Sequence, residues 1–532
     1  MEVLVVGLDG VDLPTLDSMS AASVTPTLDR LREDSVVAPL ESQLPPWTPS
    51  AWPSMYTGVN PGKHGVYDFF RFDGYDWDVV NRSLVKEFAV WELLSTRGFS
   101  SVVLNVPVTH PPEAFDGALV PGYIAPEQPD CYPSGVWAEL EEHLGEYSLY
   151  GRTLDSTAPD SVLADDLVDL TRMRGDGFEY LVEEYEPDFG FVQFQATDTV
   201  FHDFPENEAA IHRVYGAVDR EVGRLIDRYD PAVTLVVSDH GIGRMGGCEF
   251  RVNDFLREEG WAVPTTVGSG MPSWKSLTRN AEDGIDGAVE RLATVGVDLA
   301  SRVGVTSQRV ASVLEWFGLT EWVLETVPVD VVRAGTEQVD FPASTAYMRT
   351  RTEMGVRLNV EGREPNGTVS KADYEAVRSD LMAILSEVET PDGEPVFERV
   401  AGREDVFSGP HLEAAPDIVT VPAGFDHFLA ANLKGAQFGA PTEPYEHKRD
   451  GVLMARGPGV DTETRLPDAH LFDIAPTILS AFGVPVSDRM DGDVLPIVDA
   501  TTEMSYDQFD SRSVGTDSDS VEERLSDLGY LQ

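Results

Sequence analysis

The sequence predicts an α/β fold in which a largely parallel central sheet is flanked by helices. Short apolar runs alternate with longer segments of helical periodicity, which is the order that parallel strands joined by crossover helices require. Four of these runs end in turn or polar residues, at 3–8, 101–106, 189–194 and 234–238. Continuous apolar runs of this length are typical of strands buried on both faces.

Strand and helix patterns return in the last quarter of the chain. Residues 416–421 and 451–457 are predicted to be further strands of the same sheet, so the sheet resumes after an interruption. Residues 473–482 are predicted to form a helix that ends at Gly483, because glycine is common just past a helix end. The 532 residues leave room for about two to four domains.

The segment between these two parts of the predicted sheet has a different pattern. Amphipathic helical stretches at 285–303 and 308–327 precede a strand-like segment at 355–360, which indicates an insertion. The expected division is a core over residues 1–261 and 413–500, an inserted α/β cap domain over residues 262–412, and an acidic C-terminal tail over residues 501–532 with a short docking helix at 521–531.

The composition is strongly acidic. Lys and Arg number 39 against 92 Asp and Glu, giving a formal net charge of −53, while the apolar fraction of 42% excludes a disordered acidic chain. Carboxylates spread along the whole chain predict a surface suited to a high-salt cytoplasm. The alternative is an acidic protein from an organism that lives at ordinary salt concentrations. Nucleic-acid polymers and anionic membranes would be repelled, so neither is an expected partner.

The sequence also indicates where the protein works. No window reaches the ~18 apolar residues of a membrane helix. The first residues lack the basic segment and cleavage site of an export signal and are predicted to be a strand. We therefore expect a cytoplasmic protein, and the sequence leaves its oligomeric state open.

Polar residues follow three of the predicted strands at their carboxyl ends. They are Asp9 after residues 3–8, Asp198 and His202 after residues 189–194, and Asp239 and His240 after residues 234–238. Ligands of open α/β sheets bind beyond these ends, so the five side chains are expected to meet at one edge. A single Asp in such a place is commonly a helix cap, but three would repel one another unless a cation lay between them.

The types of these side chains indicate the cation. Asp and neutral His suit Zn²⁺, and Mn²⁺ is the alternative because ligand type alone does not decide. Two such ions about 4 Å apart would stabilise the attacking and leaving oxygens of an in-line phosphoryl displacement. The sequence therefore predicts a site for two divalent metal ions.

A candidate nucleophile precedes a predicted helix. Thr48 comes directly before Pro49, the order typical of an N-cap residue and the first helical residue. A hydroxyl at this position lies at the positive end of a helix, where backbone N–H groups can face a phosphate. The alternative is a Thr that only caps the helix.

Together these residues resemble the alkaline phosphatase superfamily, and within it the type I phosphodiesterase and nucleotide pyrophosphatase family, of a halophilic archaeal type. The resemblance lies in residues 5–10, 46–49, 56–65, 198–202 and 238–241, and in His447 ahead of residues 451–459. It covers about residues 1–260 and 340–500 in order. It implies an alkaline-phosphatase-like core.

The resemblance implies a role for each candidate. One ion would be held by Asp198, His202 and His447, and the other by Asp9, Asp239 and His240. Thr48 would bind the second ion and attack a phosphodiester or phosphoanhydride of a small phosphorylated substrate, giving a phosphothreonine intermediate. A phosphomonoesterase of the same superfamily and a non-catalytic metal-binding module are the alternatives.

The resemblance is incomplete at one phosphate contact. Nucleotide pyrophosphatases have an Asn shortly after the His-Gly of this loop, whereas the aligned residue here is Phe69, which weakens the case for a nucleotide substrate. Lys63 is a candidate substrate-binding replacement, with a plain surface lysine as the alternative. His447 is assigned by the resemblance alone, because residues 446–450 have the composition of a solvated loop.

Overall fold

The computed structural model describes residues 1–151, 159–265, 337–458, 460–466, 468–509 and 521. Within them the strands are β1 (Val3–Leu8), β2 (Val36–Glu41), β3 (Phe70–Asp73), β4 (Asp76–Val79), β5 (Ser101–Leu104), β6 (Gly117–Val120), β7 (Phe189–Phe194), β8 (Val233–Val237), β9 (Gly241–Arg244), β10 (Glu249–Arg251), β11 (Pro264–Thr265), β12 (Gln338–Val339), β13 (Ala346–Tyr347), β14 (Gly355–Leu358), β15 (Phe397–Gly402), β16 (Ile418–Pro422), β17 (Phe428–Ala430), β18 (Phe438–Gly439), β19 (Tyr445–Lys448), β20 (Asp450–Arg456), β21 (Val486–Ser487) and β22 (Glu503–Met504). The helices are α1 (Leu13–Ala21), α2 (Pro26–Glu33), α3 (Thr48–Thr57), α4 (Pro61–His64), α5 (Val90–Ser95), α6 (Val136–Leu144), α7 (Asp160–Tyr185), α8 (Ala196–Asp203), α9 (Glu208–Tyr229), α10 (Val252–Glu258), α11 (Tyr374–Ser386) and α12 (Ile474–Ala481).

Seven strands form the central sheet, in the order β2-β20-β8-β1-β7-β5-β6. The five strands from β8 to β6 run parallel, and β20 runs antiparallel to both of its neighbours. Every residue of β1 and β7 is buried, as expected for a sheet covered on both faces. The predicted α/β fold with a largely parallel central sheet flanked by helices is confirmed.

The two faces of the sheet bury separate layers of side chains. Val3 and Val5 of β1 pack in a layer with apolar residues of α3, α5 and α12. Leu4 and Val6 point to the opposite layer, which contains apolar residues of α2, α7 and α9. This alternation follows from the two-residue period of a strand, and it explains why the run is apolar at every position.

Most of the predicted elements are present. The strands predicted at 3–8, 101–106, 189–194, 234–238, 355–360 and 451–457 and the helix predicted at 473–482 are confirmed, with ends that shift by two residues at most. The strand predicted at 416–421 also forms, as β16, but its assignment to the central sheet is wrong. It pairs with β14 and β15 in a separate four-stranded sheet. An apolar run fits either sheet, because the pattern records burial and not the neighbouring strand.

A third apolar core is formed by two smaller sheets and one helix, which together are called the smaller part of the molecule. The four-stranded sheet β13-β14-β16-β15, helix α11 and the sheet β17-β10-β18 contribute buried residues to it, among them Phe250, Tyr347, Leu381 and Ile418. The helical stretches predicted at 285–303 and 308–327 and the docking helix, beyond residue 521, lie outside the described residues. The division into core, cap and tail stays a prediction. Among the described helices, none has both the length and the apolar character needed to cross a membrane.

Candidate metal centre

The carboxyl ends of three adjacent strands deliver the predicted ligands to one edge of the sheet. Asp9 follows β1, and Asp239 and His240 follow β8. Asp198 and His202 lie on α8, which begins two residues after β7, and their spacing of four residues places them on one helix face. The side chains of these five residues are at most 4% exposed. The sequence predicted this gathering.

Asp9, Asp239 and His240 form one group of possible ligands. His240 Nε2 lies 3.5 Å from Asp9 Oδ1 and 3.2 Å from Asp239 Oδ2. The Thr48 hydroxyl joins this group, because its Oγ1 lies 3.4 Å from both Asp9 Oδ1 and His240 Nε2. The candidate nucleophile is therefore next to the set of ligands that the family resemblance implies for it.

Asp198 is the centre of the second group. Its Oδ1 lies 3.4 Å from His202 Nε2 and 3.8 Å from His447 Nε2. The two groups are adjacent, since the rings of His240 and His447 stack with their centroids 3.7 Å apart. Asp198, His240 and His447 also come close enough to share an ion, so the two groups form one continuous pocket of donors.

His447 reaches the centre through strand pairing. Strand β19 runs antiparallel to β9, in a register that places His447 opposite Ile242, two residues after His240. His447 is 1% exposed. The composition of residues 446–450 indicated a solvated loop, and this is wrong for His447. Its assignment depends on the pairing of two strands that are distant in sequence, which no local pattern records.

Thr48 lies at the first position of α3. The N-cap residue is Trp47, and Pro49 occupies the first turn, so the predicted cap at Thr48 is wrong by one residue. Trp52, one turn further along the same helix, donates a hydrogen bond of 3.2 Å from its ring nitrogen to Asp9 Oδ2. The helix thus presents two side chains, four residues apart, to the same carboxylate.

Hydrogen bonds at Nδ1 orient all three imidazoles. The Nδ1 atom of His240 lies 3.0 Å from the carbonyl oxygen of Gly241, and that of His447 lies 3.0 Å from the carbonyl oxygen of Pro46. His202 Nδ1 lies 3.2 Å from Glu443 Oε2. Because each partner can only accept, each Nδ1 donates its proton there, which leaves Nε2 as the nitrogen that can bind a metal ion when the ring is neutral. This arrangement is typical of histidines that bind metals.

The electrostatics of the pocket favour a cation. Burial, followed by the charge of Asp198, raises the pKa of Asp9 well above its ordinary value, and burial and both neighbouring carboxylates do the same for Asp239. Burial lowers the pKa of His240 to about 4. Burial would lower the pKa of His202 as well, but the facing Asp198 and Glu443 carboxylates raise it. A positive ion between the carboxylates would relieve their repulsion.

The donor atoms fit divalent ions in their spacing. Ligands bound to one ion at about 2.0–2.2 Å lie roughly 3–4 Å from one another. The donor-to-donor distances given above for the two groups run from 3.2 Å for Asp239 and His240 to 3.8 Å for Asp198 and His447. Asp239 Oδ2 is also buried without a hydrogen-bond donor among the described residues, although a buried carboxylate oxygen normally has one.

Two residues of the site escaped the sequence analysis. Gln193, a polar residue inside the apolar strand β7, donates a hydrogen bond of 2.6 Å to Asp9 Oδ2. The guanidinium of Arg174, on α7, donates to Gln193 Oε1 at 3.2 Å and so orients the amide. Gln193 could have been found from the sequence, because it is an amide within an apolar run. Arg174 lies in an ordinary helical pattern, which gives no such signal.

Lys63 and Phe69 are not among the residues that form the pocket. Lys63 is ion-paired with Asp491 at 2.5 Å and donates to the carbonyl oxygen of Arg489. Phe69 is fully buried in the core and packs edge-on against Tyr123. The structure therefore gives Lys63 no contact with the candidate ligands, and Phe69 cannot act as a hydrogen-bond donor to a phosphate.

The amino-acid sequence was compared with protein families and with curated proteins. The model of the family "Type I phosphodiesterase / nucleotide pyrophosphatase" matches residues 3–451. No curated protein matches the sequence significantly.

Similar solved structures include three of interest, and the first two support the observed fold. Phosphonoacetate hydrolase from Sinorhizobium meliloti, in complex with phosphonoacetate, has a TM-score of 0.51 at 16% identity over 89% of this chain and 94% of its own. A mutant of the alkaline phosphatase PafA has a TM-score of 0.51 at 14% identity over 93% and 99%. Murine ectonucleotide pyrophosphatase/phosphodiesterase 5, in complex with AMP, has a TM-score of 0.46 at 11% identity over 91% and 95%. With its family match over residues 3–451, the chain belongs to the type I phosphodiesterase / nucleotide pyrophosphatase family, whose members are phosphoric ester hydrolases.

Proposed function

We propose that the protein hydrolyses phosphodiester or phosphoanhydride bonds of a small phosphorylated substrate, with Thr48 as the nucleophile and two divalent metal ions. The observation that carries the proposal is the place of Thr48 Oγ1, 3.4 Å from both Asp9 Oδ1 and His240 Nε2. Most buried Thr side chains bond to a backbone carbonyl instead.

The ligand sets follow from the two groups of donors. Asp9, Asp239, His240 and Thr48 would hold one ion, and Asp198, His202 and His447 the other. Carboxylate and imidazole donors suit Zn²⁺, with Mn²⁺ as the alternative. When bound, the ions supply positive charge for the developing oxyanions and lower the pKa of a bound hydroxyl.

The residues of the chain orient the reacting hydroxyl. Gln193 and Trp52 both donate to Asp9 Oδ2, so that Asp9 Oδ1 faces Thr48. The position of Thr48 at the start of α3 also directs the positive end of the helix dipole at an incoming phosphate. The Thr48 oxygen would attack phosphorus while the leaving oxygen departs with its bonding electron pair. Water would then cleave the phosphothreonine and restore the hydroxyl.

The smaller part of the molecule closes one side of the centre. Met354, Pro422 and Phe428 line a narrow cavity together with Trp47 and His447. These three apolar residues belong to the region of the smaller sheets, and their closeness to His447 supports a role for that region in the choice of leaving group. Phe69 removes the donor expected for nucleotides, and we therefore propose that the small phosphorylated substrate is not a nucleotide.

The test compares two chromogenic substrates with the wild-type protein in molar KCl and with Zn²⁺ or Mn²⁺ supplied. We expect bis-p-nitrophenyl phosphate to be hydrolysed with a higher kcat/KM than p-nitrophenyl phosphate. A preference for the monoester would contradict the phosphodiesterase proposal and favour the phosphomonoesterase alternative. Absence of both activities, with metal bound, would favour a binding protein.

A further inference from the structure

Glu446, the residue before His447, lies at the metal centre and has no role in the ligand sets described above. Its carboxylate is 7% exposed. Glu446 forms a third group of possible metal ligands with His202 and His447, whose donor atoms all lie within 4.8 Å of one another. Glu446 Oε1 is 4.0 Å from His447 Nε2, close to the 3.8 Å that separates Asp198 Oδ1 from the same nitrogen.

Arg351 holds the other side of this carboxylate. Its Nη1 donates to Glu446 Oε2, so the two oxygens of Glu446 have different surroundings. Arg351 Nη2 also lies 3.8 Å from Glu443 Oε1, and Glu443 Oε2 contacts His202 Nδ1 at 3.2 Å. One guanidinium therefore lies between the carboxylate that orients His202 and the carboxylate beside His447.

The charges of the two ligand sets give Glu446 a reason to bind. The set around Asp9 contains two carboxylates. The set of Asp198, His202 and His447 contains one carboxylate and two imidazoles that are neutral as ligands. One further carboxylate would give each divalent ion two negative ligands. A buried carboxylate is costly unless it is paired with a charge or coordinates a metal. Arg351 pairs with Oε2, while the backbone N–H of His447 donates to Oε1 at 3.0 Å, which holds Oε1 beside the His447 ring and leaves it a second lone pair for a metal ion.

We propose that Glu446 is an additional ligand of the metal ion held by Asp198, His202 and His447, and that Arg351 positions it through its second oxygen. This inference rests on the proposed two-metal site. It raises the number of oxygen ligands of that ion, which shifts the preference of the site from tetrahedral Zn²⁺ towards ions such as Mn²⁺ that favour oxygen and higher coordination.

The test measures Zn²⁺ bound per chain during titration with a chromophoric chelator, in wild type, in Glu446→Gln and in the double variant Arg351→Met/Glu446→Gln. Circular dichroism confirms that each variant is folded. We expect Glu446→Gln to lose one of its two ions at a free Zn²⁺ concentration about 100-fold higher than wild type does. The double variant should remain as weak as Glu446→Gln, because the lost ligand is still missing.

Each other result overturns the inference in a distinguishable way. If Glu446 only neutralises Arg351, the double variant regains wild-type affinity. If Glu446 has no part in binding, Glu446→Gln holds both ions as tightly as wild type does. Fewer than two ions in the wild-type protein would overturn the proposed two-metal function together with this inference, whereas the first two results leave that function standing.

Discussion

The side-chain amide of Gln193 donates a hydrogen bond of 2.6 Å to Asp9 Oδ2, while Asp9 Oδ1 lies 3.4 Å from Thr48 Oγ1. The amide orientation is set by Arg174, whose Nη1 donates to Gln193 Oε1. Both residues are buried. The carboxylate next to the candidate nucleophile is thus oriented by residues that do not belong to the proposed ligand sets.

Removal of the Gln193 amide should weaken the adjacent metal site. In Gln193→Leu, Asp9 loses its shortest hydrogen bond and can rotate away from Thr48, and loss of such a supporting contact costs about 10- to 100-fold in metal affinity or activity. Chelator titration and kcat/KM measured on the same preparation would check this. Unchanged metal affinity and activity in a folded Gln193→Leu protein would show that Asp9 needs no such support.

Replacement of Gly10 should damage the second ligand group. Gly10 has a φ of +64°, and a Cβ at this position would lie 2.7 Å from Asp198 Oδ1. Gly10→Ala therefore adds backbone strain of about 1–2 kcal/mol and also displaces a proposed ligand. Gly483→Ala is a matched control, because Gly483 has a φ of +65° with open space around its Cβ position. Both variants should lose stability, but Gly10→Ala alone should lose metal; equal metal contents would contradict the proposed role of Asp198.

The buried His64 should make the folded state sensitive to acid. His64 Nδ1 accepts from the backbone N–H of Val66, its Nε2 lies 2.9 Å from Ser54 Oγ, and burial lowers its pKa to about 3. The unfolded chain binds a proton at His64 below about pH 6.5, whereas the folded chain does not until about pH 3. Stability is therefore complete above pH 6.5 and falls as the pH decreases towards 3.

This effect can be isolated by a comparison of two pH profiles. Between pH 7.5 and pH 5, His64 should account for about 2 kcal/mol of the loss in the free energy of unfolding. Denaturant unfolding of wild type and His64→Gln at both pH values would measure it, since the other titrating groups are common to both proteins. Parallel profiles would contradict a neutral, buried His64.

High salt should stabilise the protein. A net charge of −53 creates strong repulsion between surface carboxylates, and the screening distance falls from about 10 Å at 0.1 M salt to about 3 Å at 1 M. We propose that the protein surface is adapted to high salt, and we expect both the unfolding temperature and the activity to rise between 0.1 M and 2 M KCl. A maximum of both in dilute buffer would contradict this proposal.

The local sequence pattern predicted those parts of the site that depend on a single strand. Asp9, Asp239 and His240 each follow an apolar run, so the end of the run shows which sheet edge they share. His447 could not be found this way, because its place depends on the pairing of β19 with β9. The same reason explains the wrong sheet for β16, whose apolar run fits the four-stranded sheet as well as the central one.

The measurement that tests the central claim most directly is the kcat of Thr48→Ala and Thr48→Ser on bis-p-nitrophenyl phosphate, each with its bound metal determined on the same sample. The account predicts that Thr48→Ala loses at least about 1,000-fold in kcat while still binding metal, and that Thr48→Ser keeps part of the activity because it retains a hydroxyl. Near wild-type turnover by metal-loaded Thr48→Ala would contradict the assignment of Thr48 as the nucleophile.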